Sequence, residues 1–226
     1  MPAPHWPAMT AFFRVPSPPR PRQSGSAAVE FTVAAGMVLL LALLAFEGAR
    51  WQLTRQVAHL ALLQAARAAS TERADPIRMR AAFLRALLPL HAGPGGETGA
   101  RLRQARAFER GAALMGTTPW RIEILLPEPT AAVPRQPRDP AQDRAGRLRL
   151  RLTYLYRPLL APVRALLALL ASDDGGHYAG RARARGLAPI RLEIEMELHS
   201  GPTDWRARGP YPAGMVLGAC RRLRCP

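Results

Sequence analysis

The alternation of apolar and polar positions divides the chain into three stretches. Residues 1–25 are rich in proline and arginine and contain no acidic residue, so we expect a leader without packed structure. Residues 26–46 form an apolar run whose one charged residue is Glu30. As a helix this run would be about 30 Å long, which matches the hydrocarbon core of a bilayer. The pattern therefore predicts a transmembrane helix at 26–46 and a separate domain at 47–226.

Two other interpretations of the apolar run are a buried core helix and a cleaved secretory signal. An unbroken apolar stretch that follows a basic flank favours a membrane span over a core helix. A secretory signal would need a small-residue cleavage site after Phe46, where Glu47, Arg50 and Trp51 follow instead. We therefore interpret the run as a single membrane anchor.

The helical pattern continues beyond the predicted span. Neither glycine nor proline occurs between Ala49 and Ala74, which predicts one helix from about Ser26 to about Ser70. Four residues in the outer part of this helix fall on one predicted stripe: Leu53, Val57, Leu60 and Gln64.

A second helix is predicted where Asp75 precedes Pro76, because aspartate caps helices and proline suits the first helical position. Its amphipathic residues are 77–90. Residues 91–99 are rich in glycine and are predicted to form a loop. Residues 158–171 predict a short apolar helix that cannot cross a bilayer and either packs on a sheet or rests on the membrane surface.

Regular alternation of apolar and polar residues predicts three strands. They are Trp120–Leu126, Arg147–Tyr156 and Ile190–Leu198. One face of each strand is apolar and must be covered, while the other face is arginine in the second strand and mainly glutamate in the third. If these two strands are neighbours, cross-strand ion pairs help to set their register. The candidate pairs join Arg149 or Arg151 to Glu193 or Glu195.

The formal net charge is +16, and all 32 basic residues are arginine. Such a composition is typical of proteins from GC-rich genomes. Basic surfaces also bind the phosphate backbone of nucleic acids. However, the sequence contains no zinc-finger spacing, RNP-like motif or compact helix-turn-helix pattern. We therefore expect no nucleic-acid partner.

Arginines before the span predict its orientation. Arg14, Arg20 and Arg22 precede the apolar run without any acidic residue, and positively charged flanks stay in the cytoplasm. Arg50 and Arg55 follow the span and reduce this asymmetry. The expected protein is a single-pass protein of a bacterial inner membrane, with a cytoplasmic N-terminus and a periplasmic C-terminal domain.

The two cysteines, Cys220 and Cys225, lie close together in the sequence. In an oxidising periplasm they could close a small disulfide loop, and the alternative is two unpaired thiols. None of the five histidines clusters with them, so we expect no metal site.

Catalysis is not expected from the sequence. It contains no nucleophile-elbow motif. The paired carboxylates Asp173 and Asp174 lie in a glycine-flanked turn, where acidic residues are common for local reasons. We predict that the protein is not an enzyme and needs no cofactor.

The boundary between the leader and the apolar run carries the most specific motif. Gly25 ends the leader, Ser26 begins the run, and Glu30 and Phe31 follow. This arrangement resembles the processing site of type IV pilin-like proteins, which a prepilin peptidase cuts after the glycine. The resemblance implies cleavage between Gly25 and Ser26, and it makes Glu30 the fifth mature residue. A glutamate in an apolar span costs about 3 kcal/mol, and in pilin-like assemblies its partner is the N-terminal amine of a neighbouring subunit.

Two longer segments narrow the resemblance. The first, Ser26–Ser70, begins with Ser-Ala-Ala-Val-Glu-Phe and ends with Ala-Ala-Arg-Ala-Ala-Ser. The second, TYLYRPLLAP at Thr153–Pro162, contains a Tyr-x-Tyr-x-Pro pattern. Both resemble the TadE-like family of tight-adherence pilus assembly proteins. The resemblance implies an α+β fold, in which a long N-terminal transmembrane helix continues into a pilin-like domain with a small three-stranded, mostly antiparallel sheet.

By this resemblance, the expected function is that of a minor pilin-like subunit, or pseudopilin, that supports assembly of a tight-adherence type IV pilus. The expected partners are the inner membrane, a prepilin peptidase, other pilin-like subunits and the pilus assembly platform. Two alternatives remain open, namely a pseudopilin of a secretion apparatus and a membrane-tethered periplasmic binding module. Cleavage after Gly25 separates both pilin-like functions from the binding module.

Overall fold

The structure is a computed structural model that describes residues 26–126, 147–171, 176–199 and 211–225. The predicted leader and its last residue, Gly25, lie outside these ranges. The chain divides into two units, with the boundary between Leu43 and Leu44. The fold is α+β with a long N-terminal apolar helix, as predicted.

Helix α1 extends over Ser26–Thr71, which confirms the predicted continuous helix. Its residues up to Leu43 belong to the first unit. There the side chains of Ala27–Leu43 are exposed, although nearly all of them are apolar. Among the described residues, α1 is the one helix long and apolar enough to cross a membrane.

In the second unit, α1 contributes a mainly alanine face to the core. This face consists of Ala58, Ala61, Leu62, Ala65, Ala66 and Ala69. The stripe named from the sequence lies away from this buried face, because Leu53 and Leu60 are more than half exposed and Gln64 is exposed. Apolar residues occur on several sides of this helix, so periodicity alone does not identify its buried face.

Helix α2, at Pro76–Ala86, begins as predicted: the backbone amide of Ile77 donates to the Asp75 carboxylate over 2.8 Å. A 3-10 turn follows at Leu88–His91. Helix α3 then extends over Gly96–Met115. The predicted loop at 91–99 is therefore too long, because glycines at its end open a helix that was not predicted.

Within the described residues the sheet has four strands, and the predicted number of three is wrong. The strands are β1 at Trp120–Leu126, β2 at Arg147–Tyr156, β3 at Ala188–Glu197 and β4 at Met215–Leu217. The order is β3-β2-β1-β4, with β1–β2 and β2–β3 antiparallel and β1–β4 parallel. Strand β4 has three residues, too few to show an alternating pattern.

The two faces of the sheet differ as the sequence predicts. The apolar face joins α1 and α2 in one core, to which the strands contribute mainly Ile122, Ile124, Leu148, Leu150 and Leu152. On the other face, the Glu193 carboxylate accepts hydrogen bonds from Arg149 over 2.7 Å and from Arg151 over 2.6 Å. These bonds confirm the predicted cross-strand pairing of β2 with β3.

Two short helices lie between β2 and β3. Helix α4, at Ala161–Leu169, corresponds to the predicted apolar helix but is shorter. Helix α5, at Tyr178–Ala184, was not predicted. The C-terminal segment is hydrogen-bonded to the start of α5, where the Tyr178 amide donates to the carbonyl of Arg221 over 2.9 Å.

Candidate functional site

The predicted assembly site lies at the start of α1. Ser26 is the first helical residue, and Glu30 lies one turn further on, with its side chain exposed. Residues four positions apart share a helix face, so Glu30 and Ala34 follow one line along α1. The arrangement presents a carboxylate on an otherwise apolar helix surface lined by small residues. Such a surface allows another helix to approach closely.

A second glutamate of α1 forms a different kind of site. Glu47, the residue after the predicted span, is buried. One of its carboxylate oxygens accepts a hydrogen bond from the Tyr156 hydroxyl. The other accepts from the backbone amides of Leu159 and Leu160, over 2.9 and 3.1 Å. Glu47 therefore bonds α1 to the connection between β2 and α4, and we call this contact the Glu47 junction.

The electrostatics of the Glu47 junction favour the carboxylate form. Burial opposes ionisation, but the hydrogen bonds from Tyr156, Leu160 and Leu159 outweigh it and hold the pKa of Glu47 below its usual range. Burial, together with the bond to Glu47, raises the pKa of Tyr156 to about 12. Tyr156 therefore remains a neutral hydrogen-bond donor at physiological pH.

The sequence does not predict the Glu47 junction, although both Glu47 and the segment that contains Tyr156 enter the sequence-based interpretation. In the sequence, Glu47 directly follows the predicted span, and Tyr156 belongs to the Tyr-x-Tyr-x-Pro pattern. The one local signal for a buried site is the carboxylate of Glu47, which directly follows a long apolar run. A carboxylate that is buried there requires donors, and a tyrosine and two free amides supply them.

A cleft of about 700 Å³ opens beside the Glu47 junction. Its lining includes four arginines and no acidic side chain: Arg50, Arg110, Arg157 and Arg164. The Arg50 guanidinium lies 6.0 Å from the ring centroid of Tyr156. One of its terminal nitrogens is buried without a hydrogen-bond partner in the described part of the chain. The cleft is therefore suited to negative charge.

The C-terminal cysteines form a third site. Cys220 and Cys225 are joined by a disulfide, with their Cα atoms 6.1 Å apart. The guanidinium of Arg121, on β1, donates to three carbonyls of the closed loop. The distances are 3.2 Å to Cys220, 2.7 Å to Arg222 and 2.6 Å to Leu223.

Arg121 and Glu123 lie on the face of β1 that alternation marks as polar, yet both are buried. The C-terminal loop covers them, and the Arg121 guanidinium also lies 4.1 Å from the ring centroid of Tyr178. Burial lowers the pKa of Arg121. It raises the pKa of Glu123, and the nearby Arg151 opposes that change. Sequence alternation could not reveal this covering, because it depends on residues about a hundred positions away.

The described residues form an α+β protein with one N-terminal helix that is long and apolar enough to cross a membrane, which suggests single-pass anchoring. A family model described as TadE-like protein matches residues 25–67. The predicted resemblance to this family is thereby confirmed over the length of α1 from its start to Arg67. No curated protein and no solved structure shows a significant match to the chain. The TadE-like segment indicates involvement in tight-adherence pilus assembly.

Proposed function

We propose that this protein is a minor pilin-like subunit that supports assembly of a tight-adherence pilus from the inner membrane. The observation that carries the proposal is the TadE-like match at 25–67, which includes both Gly25 and Glu30. In this proposal a prepilin peptidase cuts after Gly25, and Ser26 becomes the mature N-terminus. The protein is not an enzyme, and its function is to pack against other subunits.

The surface of α1 supports a packing role. In the first unit, Glu30 is an exposed carboxylate among apolar side chains of the predicted span. In the second unit, Leu53 and Leu60 are 57% and 58% exposed and are not covered by the described part of their own domain. Apolar helix surface of this kind is typical of protein–protein contacts. In the proposed assembly, the new amine of one subunit pairs with Glu30 of its neighbour.

The proposal is tested by replacing Glu30 with Gln or Val in a strain that makes the pilus. Either change removes a charge from the span, so insertion should be unchanged or improved while piliation falls strongly. The matched control is Glu109→Gln, which alters an exposed glutamate of α3 and should leave piliation normal. For each strain, mass spectrometry of the mature N-terminus shows whether the chain has been cut after Gly25.

Two results would contradict the proposal. A wild-type protein that retains residues 1–25 would exclude processing after Gly25 and would favour a membrane-tethered binding module. Normal piliation in the Glu30→Val strain would exclude the proposed ionic pairing. A cleaved protein whose loss affects secretion but not pili would favour a pseudopilin of a secretion apparatus.

A further inference from the structure

Helix α4 is apolar but has no buried residue. Leu166, Leu169 and Leu170, at its end, are 55%, 82% and 73% exposed. Its one charged side chain, Arg164, donates to the carbonyls of Pro158 and Leu159 over 3.0 and 2.6 Å. The only charge of the helix is therefore bound to the preceding backbone. An exposed apolar surface of this kind is normally covered by protein or by lipid.

The Glu47 junction places the start of α4 beside the end of the predicted span. The amides of Leu159 and Leu160, directly before α4, donate to the carboxylate of Glu47. Glu47 is the first residue after the apolar run at 26–46. Leu159 is itself 56% exposed. The exposed leucines therefore begin at Leu159, which is hydrogen-bonded to the residue where α1 is predicted to leave the hydrocarbon.

The geometry points to the lipid bilayer as the cover of α4. In this arrangement α4 lies along the outer surface of the membrane that α1 crosses, with its leucines below the headgroups. At about 14 Å it is too short to span. The basic cleft beside it contains Arg50 and Arg157, which suit the phosphates of the headgroups. The inference rests on the membrane anchoring that belongs to the proposed function, and not on Glu30 or on pilus assembly.

The test measures how deeply α4 is immersed. Leu169→Cys is introduced into the full chain with the native disulfide intact and is labelled with a nitroxide in the absence of reductant. The protein is reconstituted at one chain per vesicle of phosphatidylethanolamine and phosphatidylglycerol. Power saturation then compares the accessibility of the label to oxygen, which partitions into lipid, and to a water-soluble nickel chelate. We expect an oxygen-to-nickel ratio several-fold higher than at an aqueous position.

Ile77→Cys is the matched aqueous control, because Ile77 is 64% exposed and lies at the start of α2. Ile77 lies beyond the end of α1. The part of α1 that follows the predicted span, from Glu47 to Thr71, is about 36 Å long, so Ile77 is far along the chain from the membrane. Leu40→Cys, in the predicted span, is the lipid control. The unsubstituted chain, with its cysteines joined, gives the labelling background.

Any other result of the accessibility measurement overturns the inferred membrane contact of α4, and the results differ in what they show instead. A water-exposed Leu169→Cys beside a lipid-exposed Leu40→Cys would refute the membrane contact of α4 while leaving the anchor intact. A water-exposed Leu40→Cys would refute the anchor as well. Protection of Leu169→Cys from both reagents would mean that protein covers α4. If that protection needs crowded vesicles, the cover is a neighbouring subunit.

Discussion

At the scale of single residues, the two glutamates of α1 have different surroundings. Glu47 is buried and has three hydrogen-bond donors in its own chain, namely a tyrosine hydroxyl and two backbone amides. Glu30 is exposed on an apolar part of the helix, and its proposed role requires a second subunit. We infer that Glu47 stabilises the fold of one chain, whereas the role proposed for Glu30 is a contact between chains.

Replacement of Glu47 by Gln should lower the free energy of unfolding by roughly 2 kcal/mol at neutral pH, because charged hydrogen bonds become neutral ones. The folded-state pKa of Glu47 lies below its ordinary value of 4.5. Its contribution is therefore present above that pH and is lost as the pH falls through the folded-state pKa. Chemical unfolding of both proteins in detergent, from about pH 7 to about pH 3, should show the difference shrinking in acid.

The control for this measurement is Glu97→Gln, which removes an exposed ion pair with Arg101 on α3. Exposed pairs of this kind contribute less than about 1 kcal/mol. A difference between wild type and Glu47→Gln that stays constant from neutral to acidic pH would show that the charge of Glu47 does not stabilise the fold.

At the scale of secondary structure, alternation was a sufficient signal for β1, β2 and β3. Each of these strands has one buried apolar face, and the arginines of β2 meet the glutamates of β3. The signal failed for β4, whose three residues pair in parallel with β1. Gly214 precedes β4 with a φ of +90°, and a Cβ there would lie 2.5 Å from the Trp120 ring. Such a close approach is set by tertiary packing and leaves no periodic pattern.

The helices and the sites also show that local sequence signals predict local structure but not long-range contacts. Asp75 and Pro76 gave α2 a recognisable start, whereas α3 begins at Gly96, in a stretch that reads as a loop. The candidate assembly residue Glu30 could be selected from local sequence alone. The Glu47 junction could not, because its donors lie more than a hundred residues away in the chain. Contacts of that range depend on the finished fold.

The C-terminal loop gives a prediction at the element scale. Arg121→Met keeps much of the side-chain volume but leaves the carbonyls of Cys220, Arg222 and Leu223 without their donor. The free energy of unfolding should fall by roughly 2 kcal/mol, because partly buried acceptors lose a charged partner. Hydrogen exchange at the Tyr178 amide, which bonds to Arg221 in this loop, should become faster.

Arg149→Met is the matched control, because it removes an arginine whose ion pair with Glu193 is partly exposed. Its effect on the free energy of unfolding should stay below about 1 kcal/mol. If Arg121→Met destabilises the protein no more than Arg149→Met does, the guanidinium does not hold the loop on β1.

At the scale of the whole molecule, separate observations agree with one orientation in the membrane. The arginines of the leader favour a cytoplasmic N-terminus. The disulfide between Cys220 and Cys225 belongs to an oxidising compartment, which agrees with a periplasmic C-terminal domain. The contact that we infer between α4 and the bilayer would add a membrane-facing surface to that domain.

The orientation is tested by fusing reporters after Pro226. Alkaline phosphatase needs an oxidising compartment to form its disulfides, so the fusion should be enzymatically active when the domain is periplasmic. Green fluorescent protein exported through the same route should be dark, which makes it the matched control. Protease added to spheroplasts should digest the C-terminal domain without lysis. A bright green fusion, together with a C-terminus that is digested only after lysis, would reverse the predicted topology. That result would also remove the domain from the compartment in which a pilus is assembled.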